Sequence, residues 1–405
     1  MKFKDIFKHR GTRVWFIVSA VIIALFLAVT IVVNTVLYPV VISVLGGERA
    51  VFAKGAQPIY QSDYTSKNEV LAAANEYNEY ICEEGFVLLK NDDNALPFST
   101  PESRANPASE RPGVSIFGKN SVNIAYGGSG SGGGSGGGND IYESLEAAGY
   151  NLNPTLREFY ESEASGPARP SQPEGSNLDD GKSLTIPTYE TPISGYSANV
   201  WNSVREYDDM AVIVITRMGG EGFDLPRTMD GVTGARNADD HYLQLDANET
   251  ALINTVCNLG FERVVLLLNV GTSFELGFLE DATAQWYHQL KGYNIDPDKI
   301  DAAMWIGFPG NSGIMALGRI LNGNVNPSGR TTDTYALDFK ADPSWQNFGE
   351  NLQPETDGVA GGDEYVVQGA SSPADVDGAE RYFVDYEEGV YVGYRYWETR
   401  GAGND

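Results

Sequence analysis

The chain has 405 residues, enough for one large domain or two ordinary ones, and 42% of them are hydrophobic, which allows a sizeable buried core. Its formal net charge of -27 argues against nucleic acid as a partner, because phosphate recognition needs clustered lysine and arginine. Acidic surface charge of this kind more often serves solubility than a specific partner.

Cysteine and histidine are too few and too scattered to indicate a metal site. The two cysteines, Cys82 and Cys257, favour two buried thiols or one optional bridge over a metal motif or a disulfide scaffold. His9, His241 and His288 form no H-x-x-x-H pattern and no Cys/His group. We therefore expect neither a metal nor a cofactor.

Basic residues precede a long apolar run at the N-terminus. Residues 14–33 are interrupted only by Ser19 and Thr30, and about 20 apolar residues are what a helix needs to cross a bilayer. The pattern predicts a transmembrane anchor over residues 14–37. The basic segment 1–13 should stay in the cytoplasm, which places the main domain outside the cell.

A cleaved signal peptide is the alternative interpretation of this N-terminus. A signal peptide has a shorter apolar region with a small-residue cleavage site close behind it. The first candidate cleavage position here, after Ala53, lies far downstream. The sequence therefore favours an anchor, followed by a linker over residues 38–68.

Hydrophobic patterning after the linker predicts one domain over residues 69–400. Helical spacing and short apolar runs alternate along it, and a stretch rich in Ser, Pro and Gly, 161–185, reads as an exposed insertion. The predicted helices are 69–84, 141–148, 243–259 and 312–321, and the predicted strands are 86–90, 114–117, 210–216, 264–270 and 304–306.

The strands are continuous apolar runs separated by helices. This pattern is typical of α/β proteins, in which a parallel sheet is covered on both faces. We predict an α/β sandwich with a mostly parallel sheet between helix layers. Ligands of such sheets gather at the carboxyl ends of the strands.

Glu221 is the strongest candidate for chemistry. It follows the predicted strand 210–216, within Gly219-Gly-Glu-Gly-Phe-Asp224, where flanking glycines let the backbone turn sharply and a ligand come close. A glycosidase needs such a carboxyl to protonate the leaving oxygen and then to deprotonate water. Without further context, a solvated loop glutamate is the commoner outcome of so short a motif.

The glycine- and serine-rich segment 127–138 allows other interpretations. It lacks the Gly-Lys-Ser/Thr of a phosphate-binding loop, and its glycines show no G-x-G-x-x-G spacing that stands apart. A flexible linker is possible in composition, but a predicted strand ends just before the segment and a helix begins just after it. A loop at the rim of the same sheet is the better explanation. Neither Ser129 nor Ser273 lies in a G-x-S-x-G elbow, which disfavours a serine nucleophile.

An ordered set of motifs resembles the C-terminal α/β sandwich domain of glycoside hydrolase family 3. The similarity covers about residues 70–398 and is carried by the whole series rather than by one motif. The matching segments are Glu84-Gly-Phe-Val-Leu-Leu-Lys-Asn91 with Leu96-Pro97, Val114-Ser-Ile-Phe-Gly118 with the loop from Gly127, Gly220-Glu-Gly-Phe-Asp224, Asn269-Val-Gly-Thr-Ser-Phe-Glu-Leu-Gly277, Trp305 with Pro309-Gly310, Asn326-Pro-Ser-Gly-Arg330 with Asp333-Thr334, and Glu388-Gly-Val-Tyr-Val-Gly-Tyr-Arg-Tyr396.

The resemblance implies a retaining, exo-acting hydrolase of β-linked sugars, similar to β-glucosidases. It implies that Glu221 is the acid/base and that Asp224, Gly128 and Ser129 border the sugar. In this family a (β/α)8 barrel supplies the nucleophilic aspartate. Retention needs two carboxyl groups about 5 Å apart, so the sandwich domain cannot complete the reaction by itself.

Two departures from the family pattern accompany this resemblance. Only an anchor precedes the domain here, an order that fits circularly arranged relatives whose barrel comes last, yet no barrel follows in the sequence. Asn311-Ser312 replaces a Gln and an acidic or polar residue. We expect a truncated product or a half-enzyme that works with a barrel on a missing or separate polypeptide. The alternative is a non-catalytic surface module that binds carbohydrate or a protein partner.

Overall fold

The computed structural model describes residues 10–33, 62–98, 107, 110–128, 133, 138–169, 187–219, 225, 228–280, 285–346, 348–350, 382–384 and 388–401. The chain divides into two compact units, residues 1–65 and 66–405. The first unit contains helix α1 (Arg10–Val32), which has no buried residue. Its length and apolar composition are sufficient for a membrane crossing.

The second unit is built on a six-stranded mixed sheet. Its strands are β1 (Val87–Asn91), β2 (Gly113–Phe117), β3 (Asn151–Leu152), β4 (Met210–Arg217), β5 (Arg263–Val270) and β6 (Ala302–Trp305), in the order β1-β6-β5-β4-β2-β3. All pairs are parallel except β1 with β6. The prediction of a mostly parallel sheet is confirmed, and β1 forms an antiparallel edge.

The second unit also contains nine described α-helices. They are α2 (Lys67–Gly85), α3 (Ile141–Ala148), α4 (Pro154–Glu161), α5 (Ala198–Ser203), α6 (Ala247–Val256), α7 (Gln285–Lys291), α8 (Met315–Leu321), α9 (Pro343–Gln346) and α10 (Tyr394–Gly401). A separate antiparallel pair joins β7 (Phe348–Glu350) to β8 (Tyr382–Val384).

Both faces of the sheet are covered, because alternate residues of β4 enter two different cores. Ile213 and Ile215 pack with α4, α5 and α6, whereas Val212 and Val214 pack with α3 and α8. Successive side chains of a strand point to opposite faces, so a strand that is apolar at every position must lie between two layers. The expected α/β sandwich is confirmed.

Local capping decides where the helices begin. The predicted helix 243–259 is shorter in the structure, because the Asp246 side chain accepts from the Glu249 backbone N–H and starts α6 at Ala247. The predicted helix 312–321 also begins later, at Met315, although no side chain caps its start. By contrast, α3 spans the predicted residues and carries a capping box between Asp140 and Glu143.

The beginning of the predicted exposed insertion, 161–185, contains two buried residues. Most residues of 161–169 are exposed, but Ser165 is only 2% exposed and Arg169 only 4%. The rest of the segment, 170–185, lies outside the described residues. Part of this stretch is therefore integrated into the domain.

Candidate active site

The site residues named from the sequence follow the strands β2 and β4 in the chain. Strands β2, β4, β5 and β6 run parallel, so their carboxyl ends meet at one edge. Glu221, Asp224 and Ser129 lie outside the described residues. Gly128 is described, is half-buried and pairs with Gly133. The described residues that flank the segments 127–138 and 220–224 are called the frame of the candidate site.

Arg217, the last residue of β4, is a buried anchor below the Glu221 segment. Its guanidinium donates to both carboxylate oxygens of Glu249, at 2.5 and 2.7 Å, and both side chains are only 2% exposed. It also donates to the carbonyl oxygens of Tyr242 (2.5 Å) and Gln244 (2.7 Å). The Arg217 side chain thus connects the end of β4 to Tyr242 and Gln244, which precede α6. Its contact with Glu249 is a charge-assisted, bidentate ion pair.

The described residues that flank the Glu221 segment contact each other and the domain. The backbone N–H of Met218 donates to the Tyr242 hydroxyl at 3.3 Å. A Cβ atom at Gly219 would lie 2.9 Å from Leu225 Cδ2, so the residues on either side of 220–224 are neighbours. Leu225 packs against a small cluster formed by Met229, Val232 and Tyr242. The described residues on both sides of 220–224 are therefore fixed by contacts with the rest of the domain.

Asn269, in β5, connects two of the loops at this edge to the end of β4. It is fully buried, and its Oδ1 accepts from the Ala125 backbone N–H at 2.6 Å and the Thr216 hydroxyl at 3.2 Å. Its Nδ2 donates to the carbonyl oxygens of Ala125 (2.9 Å) and Gly307 (2.7 Å). A single amide thereby fixes the connections after β2 and β6 relative to β4.

The glycine-rich loop 127–138 is held at both ends by the turn after β6. Gly310 N donates to Tyr126 O at 2.9 Å before the loop, and Asn139 N donates to Asn311 O at 2.8 Å after it. A Cβ atom at Gly138 would lie only 2.1 Å from Asn311 O, so only glycine allows this approach. The described ends of the segment therefore lie beside the turn after β6, which agrees with a loop at the rim of the same sheet, and residues 129–132 and 134–137 lie outside the described residues.

Two buried carboxyl groups lie behind the edge. Glu190 accepts from the backbone N–H groups of Lys119 and Thr191, and burial raises the pKa of Glu190 to about 8. Burial, together with the charge of Glu249, raises the pKa of Asp246 to about 7. Asp246 accepts a short hydrogen bond from the Thr188 hydroxyl. These acids connect the segment 187–191 to the turn after β2 and to the start of α6.

Arg169 is a site-proximal residue that sequence reasoning missed. Its Nη2 donates to Asn123 O at 2.7 Å, its Nε donates to Asn120 Oδ1 at 3.2 Å, and its Nη1 lies 3.7 Å from Met218 Sδ. It therefore links the connection after β2 to the residue from which the Glu221 segment departs. A composition that indicates an exposed insertion gives no local signal for such a contact.

Within the described part of the chain, no group of three His, Cys, Asp or Glu residues could hold a metal ion. Cys82 and Cys257 are both free thiols. Burial raises the pKa of Cys82 to about 11 and that of Cys257 to about 12, which makes both poor nucleophiles at neutral pH.

The sequence matches one family model, the glycosyl hydrolase family 3 C-terminal domain, over residues 86–394. The chain belongs to this family.

Sequence relatives of this family 3 chain include longer glycosidases. Beta-glucosidase A of Butyrivibrio fibrisolvens is 28% identical over 350 residues, which cover 82% of this chain and 34% of that protein. The exo-alpha-(1->6)-L-arabinopyranosidase of Bifidobacterium longum is 24% identical over 323 residues, which cover 80% of this chain and 31% of that protein. The chain thus spans about a third of the length of these curated relatives.

Solved structures share the fold. The β-glucosidase of Paenibacillus barengoltzii matches with a TM-score of 0.53 and 24% identity, over 80% of this chain and 27% of that one. Beta-glucosidase 3B of Thermotoga neapolitana, in complex with glycerol, matches with a TM-score of 0.51 and 23% identity, over 84% of this chain and 37% of that one. At this level of identity the likeness concerns the fold alone.

Proposed function

We propose that this chain supplies the acid/base domain of a retaining, β-glucosidase-like exo-glycosidase. The observation that carries the proposal is the family 3 match over residues 86–394, which includes the Gly220-Glu-Gly-Phe-Asp224 motif. Glu221 is the proton donor to the leaving oxygen and then the base for water. Asp224, Gly128 and Ser129 border the sugar.

The described frame supports this role for Glu221. The segment 220–224 leaves the carboxyl end of the central strand β4, and its neighbours Gly219 and Leu225 are adjacent to each other. Arg217 below it is fixed by a buried ion pair. Acid/base catalysis needs a carboxyl held within hydrogen-bond reach of the reacting oxygen, and fixed residues on both sides of 220–224 favour such a placement.

The second carboxyl group of the proposed reaction comes from a (β/α)8 barrel, on further sequence of the same protein or on a separate polypeptide. A retaining mechanism requires a nucleophile about 5 Å from the acid/base. The share of the relatives' length that this chain spans, 34% of Beta-glucosidase A, is compatible with one contributed domain. The proposed substrate is a β-linked oligosaccharide or glycoside.

An exposed apolar face on α2 supports a protein partner. Val70, Tyr77 and Ile81 share one face of the helix and are 42%, 63% and 51% exposed. The helix is attached to the domain through Asn78, whose Nδ2 donates to Pro309 O at 3.1 Å. Neighbouring exposed apolar residues of this kind often mark an interaction surface. The same observation favours the second candidate function, a non-catalytic module that binds carbohydrate or a partner.

A leaving-group series tests the proposed role of Glu221. The full-length chain is combined with a family 3 barrel, and rates are measured with cellobiose and with 2,4-dinitrophenyl β-glucoside. Glu221→Gln should lower the rate on cellobiose by about 10²–10⁴-fold, because that leaving group needs protonation. The dinitrophenyl substrate should still release a burst of 2,4-dinitrophenol, since that leaving group departs without being protonated.

The matched control for this series is Glu262→Gln, an exposed glutamate beside β5. It should leave both rates unchanged. Near-normal cleavage of cellobiose by Glu221→Gln contradicts the acid/base role. If the unmodified chain shows no turnover with any barrel but binds an insoluble β-glucan, the non-catalytic module is the correct function.

The N-terminal helix α1 is proposed to anchor the protein in the cell membrane, with the N-terminus in the cytoplasm and the main domain outside. Its 23 residues span about 34 Å, compared with about 30 Å of bilayer hydrocarbon. Signal sequences have a similar composition, so sequencing the N-terminus of the mature protein discriminates the two. An intact N-terminus that resists carbonate extraction supports the anchor, and a new N-terminus after residue 53 contradicts it.

A further inference from the structure

A pocket of about 410 Å³ lies between the turn after β5, the segment 333–345 and the residues that lead into α10. Its volume falls in the range of about 300–1,000 Å³ that is common for small-molecule sites. Its lining includes Ser273, Phe339, Asp342, Trp345, Glu388 and Tyr396, and none of the described residues of 217–225. We call it the Trp345 pocket.

The aromatic wall of the Trp345 pocket is fixed from behind by His241. The Phe339 ring lies parallel to the imidazole, with an interplanar angle of 6° and ring centroids 5.6 Å apart. The Trp345 ring lies 5.0 Å from the same imidazole. Because His241 is only 1% exposed, both rings rest on a buried support.

A buried carboxylate holds this support in place. Glu275 Oε2 lies 3.0 Å from His241 Nε2 and accepts from the Phe339 backbone N–H at 3.0 Å. Its Oε1 lies 2.8 Å from Lys291 Nζ and accepts from the Tyr287 hydroxyl at 3.0 Å. Burial alone would raise the pKa of Glu275, but His241 and Lys291 hold it below its usual range. The wall is therefore preorganised, which lowers the entropic cost of binding.

Carboxyl and hydroxyl groups face the same space as the rings. Asp342 Oδ1 is occupied, because it accepts from the Ser344 backbone N–H at 2.9 Å. Glu388 Oε2 is buried and has no hydrogen-bond partner among the described residues. A buried carboxylate oxygen without a donor is costly, so a ligand that supplies an O–H would be stabilised there.

The chemistry of the lining selects among ligand classes. Neither lysine nor arginine is found in the described lining, which disfavours phosphates and other anions. An ammonium would suit the aromatic faces and the carboxylates, but it accepts no hydrogen bond and would leave the hydroxyl donor of Ser273 unused, whereas the Ser344 hydroxyl already donates to Asp342. A sugar ring has C–H groups for the aromatic faces, and its hydroxyl groups both donate and accept.

We propose that the Trp345 pocket binds a pyranose unit of a neutral carbohydrate, at a site that does not depend on Glu221. The ring stacks on the Trp345 side of the aromatic wall, and a sugar hydroxyl donates to Glu388. The pocket would hold a glycan near the sandwich domain whether or not the domain is part of an active hydrolase.

Binding is measured on the full-length chain in a detergent without a sugar headgroup, by calorimetric titration with cellobiose and with methyl β-glucopyranoside. Trp345→Ala and Glu388→Gln should each weaken binding about tenfold, which corresponds to about 1.4 kcal/mol. Glu388→Gln alters a surface turn, so it remains informative if Trp345→Ala fails to fold. Tetramethylammonium serves as the cationic probe.

Trp286→Ala is the matched control, since Trp286 is 51% exposed and does not line the pocket, and it should bind like the unmodified chain. Glu221→Gln should also bind normally, which separates this proposal from the catalytic one. Absence of saccharide binding, unchanged affinity in Glu388→Gln, or binding of tetramethylammonium in preference to both sugars would overturn the proposal.

Discussion

Glu249→Gln removes the charge that neutralises Arg217 below the Glu221 segment. The two side chains are each 2% exposed and are joined by hydrogen bonds of 2.5 and 2.7 Å. The amide retains one acceptor but leaves a buried guanidinium without a counter-charge. Loss of one partner of a buried pair costs about 3–5 kcal/mol of unfolding free energy. We expect a loss in that range.

The loss is measured by urea unfolding of the full-length chain, followed by tryptophan fluorescence. Glu161→Gln is the matched control, because Glu161 also pairs with an arginine, Arg157, at 2.8 Å, but is 50% exposed. An exposed i,i+4 pair contributes only about 0.3–0.5 kcal/mol. The Glu-to-Gln substitution should therefore lower the unfolding free energy several-fold more at Glu249 than at Glu161.

The double substitution Arg217→Met with Glu249→Leu completes the test. Replacing a buried pair by apolar residues is often neutral or stabilising, so the double variant should be more stable than Glu249→Gln. Its recovery is expected to be partial, because Arg217 also donates to the Tyr242 and Gln244 carbonyl oxygens. A Glu249→Gln variant that unfolds within about 0.5 kcal/mol of the unmodified chain refutes the reasoning.

Two further predictions concern the same edge of the sheet. Burial raises the pKa of Glu190 to about 8, so its contribution to stability is present below the unfolded pKa of about 4.3 and is lost as pH rises towards 8. Glu190→Gln should therefore gain stability over the unmodified chain between pH 5 and 8, by at most about 1.4 kcal/mol per pH unit in urea titrations, and a pH-independent difference would contradict this. Asn269→Leu should cost about 3 kcal/mol, because it leaves Ala125 N–H and two buried carbonyl groups unpaired. Hydrogen exchange should then accelerate at Ala125, and unchanged protection there would rule out this role of Asn269.

The sheet was predictable because its signal is local. The strands β4 and β5 are apolar at nearly every position, and that pattern is enough to indicate a strand covered on both faces. The helix α3 was predictable to the residue, since Asp140 and Gly149 mark its two ends. The start of α6 was missed because Leu243 and Leu245 continue an apolar pattern, whereas the Asp246 cap decides the boundary.

The candidate site was predictable only in part. Glu221, Asp224 and Ser129 were chosen from motifs and lie outside the described residues, so their roles stay predictions. The frame around them was not predictable. Asn269 contacts Ala125 across 144 positions of sequence, and Arg169 reaches Met218 across 49. No local pattern reports such contacts.

His241 shows the same limit most clearly. In the sequence it is one of three scattered histidines, with no partner at metal-ligand or catalytic spacing. In the structure Glu275 lies 34 positions away in sequence and 3.0 Å away in space, and Phe339 stacks on the imidazole ring. The Trp345 pocket exists only because three separate segments meet there.

The sequence by itself determined the apolar N-terminal helix, the α/β class and the family, because hydrophobic period and ordered motifs are properties of neighbouring residues. Only the tertiary structure decided which side chains form the buried anchors below the two loops. Those anchors depend on the carboxyl ends of β2, β4, β5 and β6 meeting at one edge. Residues far apart in the chain become partners there, since burial requires each of their charges and polar groups to be paired.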